Sequence, residues 1–68
     1  MKVAIQSPYI TLGQFLKLVN LVQSGGQAKA FVVGNQIQVN GVLTRQRGKK
    51  IYPGDKVEVS GTVYEITG

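Results

Sequence analysis

The sequence predicts an α+β domain in which two short packed helices lie against a small, mainly antiparallel sheet, in the order β-α-α-β-β-β-β. Three observations predict it. Two capping patterns, Thr11-Leu12-Gly13-Gln14 and Ser24-Gly25-Gly26-Gln27, each precede an apolar run at helical spacing. Beyond Gly34 the apolar period changes to two, the period of a half-buried strand. The turn dipeptides Asn40-Gly41, Pro53-Gly54 and Ser60-Gly61 then divide the remainder into strands.

Lys2 to Gln6 alternates, with Val3 and Ile5 toward one side, and Ser7-Pro8 ends it, so a short edge strand is expected there. Thr11 and Gln14 can each accept the other's free backbone N–H, and Ile10 is set to pack on Phe15 as a hydrophobic staple. Leu12, Phe15, Leu16, Val19 and Val22 follow at helical spacing, a single buried stripe of about three turns. A second capping box at Ser24 and Gln27 opens a shorter helix. Its apolar face is Ala28, Phe31 and Val32, and Gly34-Asn35 supplies left-handed stop residues. A residue or two near Gln23 joins the helices, which must fold back on each other. Ile37 and Val39 alternate into the Asn40-Gly41 hairpin turn, Val42-Leu43 returns, and Pro53-Gly54 turns into Lys56 to Ser60 through Val57 and Val59. After Ser60-Gly61, Thr62 to Thr67 forms the last strand, carrying Val63 and Ile66.

Sixty-eight residues make one domain, 1–68, which at this size buries only about 60% of the unfolded chain's surface. Cysteine and histidine are both absent, which excludes a disulfide framework, thiolate or imidazole metal sites and the usual near-neutral proton carrier. The three carboxylates, Asp55, Glu58 and Glu65, offer no paired acids to divide acid and base roles, and Ser24 has no base partner. The expectation is a non-catalytic protein with no catalytic residue, no metal and no cofactor. No apolar stretch approaches the roughly 20 residues of a bilayer span, and MKVAIQSP lacks the features of a signal peptide, so a cytoplasmic location and no membrane are expected.

Charge is distributed unevenly. Residues 1 to 54 carry seven Lys and Arg and no acid, whereas residues 55 to 68 carry Lys56 against Asp55, Glu58 and Glu65. The net charge of +5 is thus +7 on one stretch and −2 on the other, which points to a polyanionic partner. Arg45, Arg47, Lys49 and Lys50 crowd a loop between strands, where Arg can clamp a phosphate bidentately and Lys adds a mobile point charge. Lys29 falls one turn into the second helix, near the bare amides of Gly25 and Gly26, where a phosphate can meet both a helix N-terminus and an ammonium. The same lysine can instead cover apolar surface with its stem. Gln27 reads as a capping residue and Lys17 as a solvating one. Asn40 can read a base edge or a 2′-hydroxyl, or serve only as a residue that tolerates positive φ. Tyr52 can stack on an unpaired base or pack at a strand end.

These features, taken in order, carry a family resemblance. The motif core, residues 11–59, resembles the small αL RNA-binding domain named after ribosomal small-subunit protein four, the S-four domain. The matching features are Leu12, Phe15 and Leu16 in the first helix, Leu21-Val22 stepping into Ser24, Ala28-Lys29 in the second helix, Val39-Asn40-Gly41, and Tyr52-Pro53-Gly54-Asp55-Lys56-Val57-Glu58-Val59. The string Ser24 to Lys29 and the spacing of Arg45, Arg47 and Lys49 most resemble the short standalone members of the YaaA/YbcJ type. The resemblance implies a sheet packed on the helix pair and structured RNA, ribosomal RNA or a ribosomal particle in assembly, held by the second helix, the Asn40-Gly41 turn and nearby cations. Lys29, Arg45, Arg47, Lys49, Lys50, Gly25, Gly26 and Asn40 are the candidate RNA-binding residues. Thr11 and Gly25 stand where the family pattern has arginines, and the Arg45 to Lys50 cluster is expected to take over their task. A monomer is favoured. The competing reading is a protein-interaction adaptor with a degenerate RNA surface; DNA is compatible with the electrostatics alone.

Overall fold

The computed structural model describes every residue, Met1 to Gly68. Its elements are β1 (Lys2–Ala4), β2 (Ile10–Thr11), α1 (Leu12–Leu18), α2 (Gly25–Gly34), β3 (Ile37–Val39), β4 (Val42–Leu43), β5 (Lys50–Ile51), β6 (Lys56–Val59) and β7 (Thr62–Thr67). Five strands form one sheet in the order β1-β7-β6-β3-β4, antiparallel except for the β1–β7 pair. The α+β class, the helix pair and the edge position of the first strand are as the sequence predicts. Two elements extend the expected order: β2 and β5 form a separate two-stranded ladder that clips the start of α1 to the end of the basic loop. At two residues each they are too short to leave a periodic trace in the sequence.

Both bonds of the Thr11–Gln14 capping box are present, at 2.9 and 3.2 Å, and Ile10 is half-buried against the core. The helix then stops sooner than its apolar stripe suggests. Asn20 adopts φ 63°, and the N–H groups of Asn20 and Leu21 return to the carbonyls of Lys17 and Leu16, a Schellman stop with asparagine in the left-handed place. Val22 still reaches the core, from the linker rather than from the helix, so the connection runs from Val19 to Ser24.

α2 begins on Ser24, whose Oγ accepts from the Gln27 N–H at 3.2 Å. The Gln27 side chain reaches one residue further back than a capping box requires and accepts from the Gln23 N–H. Its other end differs from expectation. Asn35 is extended, φ −131°, and Gly34 is helical, so no left-handed residue ends this helix. Side chains satisfy its last carbonyls instead: Asn35 Nδ2 donates to Phe31 O and Arg45 Nη1 to Val33 O, both at 3.0 Å.

The core lies between the helices and one face of the sheet, where Leu12, Phe15, Leu16, Ala28 and Val32 meet Ile37, Val39, Val57, Val59, Tyr64 and Ile66. Phe15 and Tyr64 pack edge to face, their ring centroids 5.2 Å apart. In β7 the inward residues are Tyr64 and Ile66, while Val63 turns outward opposite Glu58, because β6–β7 register pairs Val57 with Tyr64. A strand has period two, so Ile66 and Val63 cannot share a face. No polar or charged residue is buried. No helix is long and apolar enough to cross a membrane.

Candidate nucleic-acid interface

The charge asymmetry of the sequence becomes a spatial one through the pleat. Val57 and Val59 face the helices, so Lys56 and Glu58 face outward, and Lys2 and Lys56 flank Glu65 from the two neighbouring strands. Two lysines and two glutamates cancel on that outer face. The formal charge of +5 therefore belongs wholly to the helices, the loops and the short strand β5, where Lys17, Lys29, Arg45, Arg47, Lys49 and Lys50 stand against Asp55 alone.

Asp55 is itself engaged. One carboxylate oxygen accepts from Asn40 Nδ2 at 3.0 Å and the other from the Tyr52 N–H at 2.9 Å. Asn40 completes the latch by accepting from the Lys56 N–H at 2.9 Å. Its amide is thus tied at both ends, and its φ of 53° with Gly41 at 82° makes the two-residue turn between β3 and β4. The Asn40-Gly41 turn is held to the Pro53-Gly54 turn, with one amide proton and one lone pair left outward.

The basic loop is pinned along α2. Arg47 Nη1 donates to Gly25 O at 3.0 Å, and Arg45 Nη1 donates to Val33 O at the other end of the helix. Each uses one of five guanidinium donors. Gly25, Lys29 and Val33 are four residues apart on one row of the helix, about 6 Å of rise per step. Lys29, exposed, lies between the two guanidinium anchors, so the three cations follow one edge of α2 over about 12 Å. At the start of the helix, Gln27 and Ala28 direct their N–H groups to Ser24, which leaves those of Gly25 and Gly26 outside the helix's own bonds.

Two grooves flank the loop. Arg47 lines one with Thr11, Gln14, Lys17 and Gly25, so the lysine read as merely solvating shares a concavity with an arginine. Arg45, Lys49 and Lys50 line the other with Asn40 and Tyr52. Next to the β2–β5 ladder, the N–H groups of Leu12 and Gly13 donate to Lys49 O and Arg47 O, each at 2.8 Å, and hold the first groove's wall. Gly26 and Lys29 line neither groove. Tyr9 is a residue that sequence reasoning missed. The antiparallel register Ile10–Ile51 brings it opposite Tyr52 one step on, with ring centroids 5.6 Å apart, and Lys50 Nζ sits 5.0 Å over its ring. An aromatic residue just after a Ser-Pro turn was the only trace of it in the sequence.

Comparison with known proteins concerns the chain as a whole. Residues 3–67 match the family model described as the S4 domain. The probable ribosome maturation protein RlbA of Bacillus subtilis (strain 168) is 48% identical over 59 residues, which cover 87% of this chain and 83% of that protein. The two helices and the mostly antiparallel sheet are consistent with this match over nearly the whole length, and the chain belongs to the S4 domain family.

Proposed function

We propose that the protein is a non-catalytic binder of structured RNA, acting on ribosomal RNA or on a ribosomal particle in assembly. One observation carries the reading: the outer face of the sheet is balanced in charge, and away from it six cations are counted against one latched carboxylate. Phosphate contacts with these cations fix position and orientation, and the spacing of Arg47, Lys29 and Arg45 along one helix edge suits the successive phosphates of a single strand. The ribosomal assignment rests on the Bacillus relative, whose name is that of a probable ribosome maturation protein.

Arg47 occupies a particular place in this reading. Thr11 and Gly25 stand where the family resemblance leads one to expect arginines, and Arg47 shares a groove with both. A side chain built on Gly25 would begin 3.7 Å from Arg47 Nη1. In this reading the loop supplies a guanidinium to the corner that the two helix starts leave without one. Gly25 and Gly26 add unpaired N–H groups at a positive helix end.

The test is a titration of the protein with matched RNA and DNA hairpins at several salt concentrations, together with crosslinking in cells and sequencing of the attached RNA. RNA is expected to win the competition, the four loop cations to give a log–log salt slope of about −3.6, and crosslinks to fall on ribosomal RNA. Salt-independent association with a protein, and no crosslinked RNA, is the result that favours the adaptor reading instead.

A further inference from the structure

We infer that Tyr52, backed by Tyr9, is a stacking platform for one unpaired base, so that the RNA this protein holds has a bulged or frayed nucleotide beside its paired segment. The inference rests on the RNA-binding reading and deepens it. Two of the five aromatic residues, Phe15 and Tyr64, are packed against each other in the core; Tyr9 and Tyr52 are 40% and 46% exposed on the cationic side. Nothing in the core requires them there. The β2–β5 ladder sets them opposite each other, with the rings inclined at 46°, and Lys50 covers a face of Tyr9. Tyr9 is thereby engaged with both a ring and a cation, whereas Tyr52 also borders the groove of Arg45 and Lys49.

The chemistry of that groove selects its occupant. A flat π-face next to Arg45, Lys49 and Lys50 suits a flat group that carries negative charge on its flanks, which describes a nucleotide. The acid at the groove's rim, Asp55, has both oxygens bonded within the chain and offers little to a cationic peptide. A base in a duplex is stacked on its neighbours and shows no free face, so the platform can take only a nucleotide released from pairing. Stacking is tolerant of base identity, so the site senses an unpaired nucleotide and not a sequence.

The test uses two RNA hairpins that differ only in one bulged 2-aminopurine, whose fluorescence is quenched on stacking. Wild-type protein is expected to bind the bulged hairpin more tightly and to quench it. Tyr52→Ala is expected to weaken that complex roughly 5- to 160-fold and abolish the quench while weakening the fully paired hairpin far less. Tyr52→Phe retains the preference, and Tyr9→Ala reduces it. Tyr52 bonds to Asp55 through its main chain alone, its N–H donating to the carboxylate and its carbonyl accepting from the Asp55 N–H, so the alanine variant keeps its fold, as a thermal melt will verify. Equal affinity of wild type for the two hairpins, or an equal loss on both in Tyr52→Ala, overturns the stacking inference and leaves RNA binding standing. If wild type binds neither hairpin, the RNA-binding reading itself falls.

Discussion

Arg47 Nη1 donates to the main-chain carbonyl of Gly25 at 3.0 Å, across 22 positions of sequence. The bond ties the basic loop to the first residue of α2 and holds a guanidinium beside a helix start whose own residue has no side chain. If that guanidinium does the work of an arginine at position 25, moving the cation back should restore what its removal takes away. Arg47→Gln is expected to weaken binding of a structured RNA and to reduce the magnitude of the salt slope by about 0.9. Adding Gly25→Arg to that variant should recover most of both, since a Cβ at Gly25 meets nothing closer than the Arg47 side chain itself. Filter-binding or anisotropy titrations at several salt concentrations check it, and a double variant no better than Arg47→Gln refutes the relocation.

Arg45 and Lys49 belong to the same cluster and should separate cleanly. Arg45 caps Val33 O at the negative end of α2, whereas Lys49 serves the fold only through its main chain, which bonds Leu12 and Gln46. Arg45→Gln is expected to cost about 0.3–1 kcal/mol of stability, and Lys49→Gln to leave the melting curve unchanged. Each should flatten the salt dependence of RNA binding by about 0.9. Denaturant melts beside the titrations distinguish the two roles.

The latch between Asn40 and Asp55 can be tested without RNA. Asparagine at position 55 has one oxygen for two donors, so Asn40 Nδ2 or the Tyr52 N–H would face an amide NH2. Asp55→Asn is expected to destabilise by about 0.5–1.5 kcal/mol. Asn40→Gly, which preserves the positive φ, should cost a similar amount, and the double variant less than the two combined, because the residues share a bond. Urea unfolding of the four proteins gives the cycle; strict additivity would show that the latch carries no coupling.

Gly13 offers a gain. It lies in α1 with ordinary helical φ, and a Cβ there would meet the Arg47 main chain and Cβ and the Ala28 Cβ at 3.5–3.7 Å, a normal contact distance. Gly13→Ala is expected to stabilise the protein by about 0.5–1 kcal/mol, or roughly 2–8 °C in melting temperature. A lower melting temperature would show that the Arg47 main chain sits too close to α1 to accommodate a methyl group.

Much of the fold was legible because local chemistry decides it. Thr11 with Gln14 and Ser24 ahead of Gln27 announce helix starts, since a side-chain oxygen three residues from a free N–H finds it whatever lies around it. Asn40-Gly41 and Ser60-Gly61 announce hairpins, since glycine, and asparagine before it, adopt the positive φ values that a two-residue turn needs. Helix ends were less legible: Asn20 stops α1 where the apolar stripe continues, and α2 ends on a carbonyl held by Arg45, a partner 12 residues away.

The sequence by itself determined the α+β class, the two helix starts, the tight turns and the existence of an acid-free basic stretch, because each depends on neighbours within a few bonds. Only the tertiary structure decided where that charge goes. The pleat of β6 and β7 sends Glu58 and Glu65 to the far face, the β2–β5 ladder sets Tyr9 against Tyr52, and the carbonyls of Gly25 and Val33 draw Arg47 and Arg45 to opposite ends of one helix. These relations join residues distant in the chain, and their free energies depend on a register and a packing that no local pattern encodes.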